Sequence, residues 1–379
     1  VTKKDITFSG SRVYDATTTV SSSDLVTNDT TSGETLAFSG SGTVSSANVQ
    51  NNQSITLGSI AIADGSGGGL ASNYNLTTGT FDISQKWVSV SGQKIYDATT
   101  TVSSSDLNVT GEVTGESISI TGTGSVTDKN VGSGKTIDIS GLSLSDGSHS
   151  ASNYTIGTTS FAITRRNLSI SGEKVYDGTG TVLASQIDTV NTAGGETLTI
   201  SGEGSVSLPS VGTNKSITLN TLGISDGTNG TIGLASNYTL DSGSFDITTK
   251  PITLSGSRQY DGTTDVASSD LTLIGEVSGE SISITGTGSV TDKNVGAGKT
   301  INTTGLSLAD NTSNASNYSL STGTFTINNK ILSISGTRDY DGSTTVSSGN
   351  ISLDGLIGSE TLNKSGSVST SSSNASIYG

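Results

Sequence analysis

A tyrosine–aspartate pair returns along this chain at nearly constant intervals. It stands at Tyr14-Asp15, Tyr96-Asp97, Tyr176-Asp177, Tyr260-Asp261 and Tyr340-Asp341, separated by 82, 80, 84 and 80 residues. Self-similarity at a fixed period marks repeated structural units, so the chain must fold as a tandem array. Other residues keep the same register. Nineteen residues after each aspartate comes a glutamate: Glu34, Glu116, Glu196, Glu280 and Glu360. In the first four copies an isoleucine follows 21 residues later, at Ile55, Ile137, Ile217 and Ile301. Nine further on stands Asp64, Asp146, Asp226 or Asp310. Then comes Ser-Asn-Tyr, ending at Tyr74, Tyr154, Tyr238 or Tyr318, and seven residues later Phe81, Phe161, Phe245 or Phe325. The repeats read as 5–84, 85–164, 165–248 and 249–329, with an incomplete fifth over 330–379.

One interval varies. From the later aspartate to the Tyr of Ser-Asn-Tyr it is 10, 8, 12 and 8 residues. Insertions are tolerated at exposed loop tips and not in packed strands, so this Gly/Ser/Asn-rich segment reads as a surface loop. The constant remainder is under register control, because a slip of one residue turns a strand's core face to water. A second period is visible too. Gly115–Lys135 matches Gly279–Lys299 except for Ser133 against Ala297, while copies 1 and 3 share Gly-Glu-Thr-Leu. Two domain types alternate, as duplication of a two-domain unit would produce.

Hydrophobic residues make up 30% of the chain, but they fall in short alternating runs such as Ile118-Ile120 and Leu168-Ile170. Val, Ile, Thr and Tyr dominate these runs, which is strand chemistry, and no sustained helical stripe occurs. In copy 2 the strands read as 86–92, 100–103, 115–126, 134–145 and 153–164. The expected fold is all-β: small antiparallel β-sandwich, Ig-like domains in tandem, forming an extended rod through short junctions such as Ser84-Gln85-Lys86. A β-grasp-like repeat is the alternative. Nine of the ten tyrosines are the Tyr-Asp or Ser-Asn-Tyr residues, and four of the six phenylalanines close the copies. A domain with so few large side chains must place each of them in its core. Trp87, with Asn167, Pro251 and Ile331 at the equivalent positions, reads as local packing.

A net charge of −15 disfavours nucleic acid and anionic membrane as partners. No stretch is apolar enough to insert in a bilayer. The chain has no cysteine, which excludes disulfide staples and suits export through an oxidising compartment. Starting at Val1, it reads as an internal piece of a longer secreted chain.

Each recurring residue has a structural and a functional reading. The Tyr-Asp pair reads first as a turn in which Asp bonds nearby backbone N–H groups while Tyr packs. Its aspartates and the later glutamates are the candidate calcium ligands: Asp15, Glu34, Asp97, Glu116, Asp177, Glu196, Asp261 and Glu280. Calcium needs six to eight oxygens, and no copy has an Asp-x-Asp-x-Asp loop, so a structural ion between domains is the weaker reading and no cofactor is expected. A lysine isopeptide cross-link is disfavoured because Lys94 and Lys174 become Arg12, Arg258 and Arg338. His149 is the single histidine, which excludes multi-histidine metal chemistry. A carboxylate pair repeated five times as a hydrolase is improbable, and no enzymatic activity is expected.

The segments Lys174-Val175-Tyr176-Asp177-Gly178-Thr179, Asp292-Lys293-Asn294-Val295-Gly296 and Ser316-Asn317-Tyr318 resemble the YDG and MBG-type repeat domains of very large secreted bacterial adhesins, of the filamentous-haemagglutinin, two-partner-secretion type. The resemblance spans essentially the whole chain. Ala16 and Ala98 depart from it where Asp-Gly is usual. It implies a cell-surface or extracellular-matrix location, a stalk-like or adhesive role in cell adhesion or biofilm, and no catalytic residues. The expected partners are neighbouring copies of the same chain, or host and matrix glycans or proteins, the variable loops being the place for recognition. The incomplete fifth copy leaves strand edges unpaired, and a strand from a neighbouring chain would make the array a filament. Its end, 373–378, echoes Asn314-Ala315-Ser316-Asn317-Tyr318.

Overall fold

Residues 1–377 are described in a computed structural model; the echo at Tyr378 lies outside them. Strands joined by turns make up the described residues, with three-residue 3-10 turns and no longer helix. Copy 2 shows the pattern. Its strands are Lys86–Ile95, Thr101–Ser103, Leu107–Thr110, Ile118–Val126, Gly132–Lys135, Ile137–Asp138, Leu142–Asp146 and Tyr154–Thr164. The strand at 107–110 is absent from the sequence reading. The stretch read as 134–145 is broken by a turn, closed by the Leu142 N–H on the Ile139 carbonyl at 2.9 Å.

Two sheets face each other. One has the order Leu107–Thr110, Lys86–Ile95, Tyr154–Thr164, Gly132–Lys135. In the other, Ile118–Val126 pairs with Leu142–Asp146 along its first half and with Thr101–Ser103 and Ile137–Asp138 along its second. The alternation expected of half-buried strands is obeyed: Val88, Val90, Phe161 and Ile163 point inward between exposed neighbours. Each fully buried Phe or Ile contributes roughly 2–3 kcal/mol by removal from water. Gly92 lets the turn that ends at Asp106 lie against its strand, since a Cβ there would be 1.9 Å from the Asp106 carbonyl oxygen.

The pairing is not purely antiparallel, which corrects the sequence reading. The first and last strands of copy 2 run parallel, from Lys86 opposite Tyr154 to Ile95 opposite Thr164. Copies 1 and 4 repeat this. A parallel pair needs a long connection. Here all the other strands of the copy supply it. The geometry suits an array: with first and last strands parallel, the chain enters a copy at one end and leaves it at the other.

The register slips between Ile156 and Thr158, a β-bulge at Gly157. Trp87 lies over that glycine, its ring carbons 3.3–3.4 Å from where a Cβ would be. Its outer side faces solvent, at 76% exposure, so the local packing read from the sequence holds for one side of the ring. The ring has a flat backbone surface on one side only.

The chain divides into two compact units whose boundary falls inside copy 3. The first comprises Val1–Ser169, Thr189–Thr199 and Ile224–Asp241. Its cores centre on Phe8, Phe81 and Ile83 and on Val90, Phe161 and Ile163. The second comprises Ile170–Asp188, Ile200–Gly223 and the residues from Ser242 on, with a core around Leu254, Phe325 and Ile327. Copy 5 has two antiparallel pairs, Ser333–Gly336 with Ile351–Asp354 and Thr345–Ser347 with Ser367–Ser369. It has no parallel closing strand among the described residues, and Ile334 is exposed.

Candidate functional site: a joint built from the repeat marks

The Tyr-Asp turn is built alike in every copy. The residue after Asp sits at positive φ: Ala16 65°, Ala98 65°, Gly178 80°, Gly262 79° and Gly342 73°. The aspartate oxygen accepts the N–H two residues on at 2.9–3.0 Å, from Thr17, Thr99, Thr179, Thr263 and Ser343. This is the turn expected from the sequence. A cation three residues before the aspartate completes it. Arg12, Lys94, Lys174, Arg258 and Arg338 pair with Asp15, Asp97, Asp177, Asp261 and Asp341. Lys174 also donates to the Thr179 and Thr181 carbonyls at 2.9 and 2.8 Å. Either cation can cap these carbonyls, which is why Lys and Arg interchange here. Burial pushes the Asp177 carboxyl up, but the Lys174 and Thr179 hydrogen bonds outweigh it and hold the group below the usual carboxylate range.

A left-handed backbone costs an L-residue roughly 1–2 kcal/mol that glycine avoids. Ala98→Gly is therefore expected to raise stability by about 0.5–1 kcal/mol, after the entropy glycine loses on folding. Urea denaturation measures it; a loss of stability would show that the Ala98 methyl contact outweighs backbone strain.

The glutamate is also set by a turn. Gly115 at φ 89° lets the Glu116 N–H reach the Val113 carbonyl at 2.9 Å. Glu34, Glu196 and Glu280 repeat this at 2.9 Å. The Ser-Asn-Tyr segment is anchored by the aspartate before the variable loop. Asp64, Asp146, Asp226 and Asp310 accept the N–H of Ala71, Ala151, Ala235 and Ala315 at 2.7–2.8 Å. That bond closes the loop base whatever the loop's length.

These pieces meet where one copy abuts the next. The Tyr14 hydroxyl, from copy 1, donates to Glu116 Oε1 of copy 2 at 2.8 Å. The Tyr154 hydroxyl, from copy 2, donates to the other oxygen of Glu116 and accepts the Val113 N–H at 3.1 Å. The two rings meet edge to face, 5.4 Å apart. Beside them Asn153 Oδ1 accepts the Val49 N–H of copy 1 at 2.9 Å. The same joint recurs with Tyr96, Glu196 and Tyr238, at 2.7 and 2.8 Å, and with Tyr176, Glu280 and Tyr318, at 2.6 and 2.5 Å. Asn237 and Asn317 accept the Val131 and Val211 N–H groups at 2.9 Å. Tyr260 donates to Glu360 of copy 5. Each joint lies wholly within one compact unit.

Burial, then the hydrogen bond and charge of Glu116, raises Tyr14 and Tyr154 to about 12. Tyr176 and Tyr318 are raised to about 12 in the same way around Glu280. Glu196 is the most buried of the glutamates and has a third donor, Lys129 Nζ at 2.6 Å. Burial pushes Glu196 up, but Lys129, Tyr96 and Tyr238 outweigh it, and the net shift is downward. At the first joint the nearby side chain is instead the His149 imidazole, with Nε2 3.8 Å from Glu116 Oε1.

The calcium candidates are thus separated by role. Asp15, Asp97, Asp177 and Asp261 serve their own turns; Glu116, Glu196 and Glu280 serve tyrosines, and Glu34 accepts Tyr74. No group of three or more acidic or histidine side chains among the described residues is arranged to hold a metal. The sequence reading assigned the tyrosines to packing and missed their hydroxyl partners, 100–104 residues away. It also missed the buried asparagine beside them. A signal was present: an unvarying glutamate in a chain that is only 13% charged.

The model of the YDG domain matches residues 2–81, 84–161, 164–245 and 247–327. The chain belongs to the YDG domain family. One match falls on each complete copy, and in each the Tyr-Asp turn presents tyrosine to the joint. No curated protein matches the chain. Among solved structures, Drosophila N-cadherin EC1-4 aligns over 86% of this chain and 99% of its own at 8% identity and a TM-score of 0.14, too low to carry an argument.

Proposed function

We propose that this YDG array is the structural, adhesive repeat region of a secreted bacterial cell-surface or extracellular-matrix protein. Its role is to hold a binding region away from the cell as a stalk. The observation that supports this is the joint. In every complete copy the Tyr-Asp tyrosine donates its hydroxyl to a glutamate of the next copy, a grip that suits a stalk. The acidic surface keeps such stalks apart and soluble.

Electron microscopy of the purified chain tests the reading. Extended particles are expected, and globular particles would overturn it. A second reading places glycan recognition in the variable loops, 65–71, 147–151, 227–235 and 311–315. It draws on the Asp64-type anchor, which closes each loop's base whatever the loop's length. Glycan-array binding that transfers when loops are exchanged between copies would favour it.

A further inference from the structure

Trp87 is the only tryptophan in the chain, and it is held at the surface. Exposing an indole forgoes one of the largest burial gains open to a fold. Its seat is built for it. A Cβ on Gly157 would lie 3.1–3.4 Å from three carbons of the side chain, so the indole rests on bare backbone. The other complete copies have Thr77, Asp241 and Ser321 where that glycine stands. Asn167, Pro251 and Ile331 take the place of the tryptophan. The aromatic and its glycine seat therefore occur together, in this copy alone.

Trp87 is one wall of a cleft of about 700 Å³ where copy 1 meets copy 2, inside the first compact unit. Val13, Ser84, Gln85, Lys86 and Thr155 complete it. Thr155 stands directly across from Trp87 in the parallel pair. Gln85 Nε2 donates to the Ser152 carbonyl at 3.1 Å, which fixes the amide. Its Oε1, the Thr155 hydroxyl and the Lys86 ammonium have no partner among the described residues. None of these residues is acidic, although the chain carries a net charge of −15. The sheet face leading away from the cleft is uncharged too. Ser89 lies between Thr110 and Thr158, and Ser91 between Asn108 and Ser160. Where copy 2 has Gln93 opposite Ala162, copies 1 and 3 have Ser11 opposite Asp82 and Glu173 opposite Asp246.

We propose that this cleft binds a glycan, with one pyranose ring lying on Trp87 and the next sugars running along the uncharged sheet face. A pyranose fits both halves of the site. Its C–H face packs on an aromatic ring, and its rim of hydroxyls can pair with Thr155, Gln85 and Lys86. A nucleobase would also stack, but its phosphates would meet the negative charge of the chain. None of the residues that form the cleft belongs to a variable loop, so the site is distinct from the loop reading. It also goes beyond the stalk reading, which stands whether or not a sugar binds.

Because Trp87 is the sole tryptophan, its fluorescence reports the cleft directly in the full chain. Titration with cellohexaose, chitohexaose and hexagalacturonate is expected to give a saturable blue shift with at least one of them. By calorimetry, Trp87→Ala is expected to weaken that binding at least ~10-fold, and Thr155→Val several-fold. Gly157→Thr, which supplies the residue of copy 1, is expected to weaken it by lifting the ring while Trp87 remains. Trp87→Ala should leave the urea unfolding midpoint near that of the parent chain, which separates lost binding from lost fold. No shift with any of the three sugars, affinity indifferent to Trp87→Ala, or binding that moves instead with an exchanged variable loop overturns the proposal. So does a blue shift that needs only a higher protein concentration, which would make a second copy of the chain the occupant.

Discussion

Replacing Glu196 with alanine is expected to destabilise the array by about 3–5 kcal/mol, the usual cost of removing one partner from a buried charged network. Three donors lose their acceptor together: Tyr96, Tyr238 and Lys129, at 2.7, 2.8 and 2.6 Å. Glu196 is 3% exposed, so water does not readily replace it. The tyrosine rings remain, and their edge-to-face contact at 5.4 Å preserves the packing. The loss is thus mainly one of unsatisfied tyrosine hydroxyls, since the Lys129 side chain is 39% exposed and its ammonium can turn to water. Glu34→Ala should cost only about 1 kcal/mol, because that carboxylate accepts one tyrosine in a partly solvated place. Urea denaturation of the two variants supplies the comparison. Equal losses would mean that the joint adds nothing to the fold of a single copy.

The second large effect is alkaline. Tyr14, Tyr154, Tyr176 and Tyr318 are raised from 10 to about 12 in the folded chain. A group whose folded pKa lies above its unfolded value holds its proton more tightly when folded. Its contribution is full below pH 10 and is lost as pH rises through about 12. Two units correspond to roughly 2–3 kcal/mol per tyrosine, and two tyrosines sharing one glutamate do not contribute additively. The joints should therefore loosen cooperatively between pH 10 and about 12, where the phenolate of each tyrosine meets an ionised glutamate. Tyrosinate absorbance and far-ultraviolet circular dichroism, followed together, read this. Tyrosines that all ionise at 10 with no change in fold would count against the joint. Tyr14→Phe should remove one of the late-titrating groups.

The repetition, the strand character and the variable loop were legible in the sequence because each is a local or periodic property. Fixed spacing reports register, and Gly/Ser-rich length variation reports an exposed tip. The Asp15-type turn was legible too, since the bond it makes spans two residues. Three features were not. Parallel pairing of Lys86–Ile95 with Tyr154–Thr164 depends on where the chain returns after many intervening residues, which no local pattern encodes. Trp87 was read as local packing because no aromatic recurs at Asn167, Pro251 or Ile331, and only the bulge at Gly157 shows that one face of the ring packs while the other is exposed.

The joint is the clearest case. The sequence alone determined that Tyr14, Glu34 and Tyr74 recur in every complete copy, and that something holds their spacing constant. It did not determine that Tyr14 serves Glu116 of the next copy while Tyr74 serves Glu34 of its own. A periodic sequence fixes positions only up to a whole repeat, so a partner in the same copy and a partner in the next look identical. Tertiary structure decides between them, because a turn at the exit end of one copy can touch only the entry end of its successor.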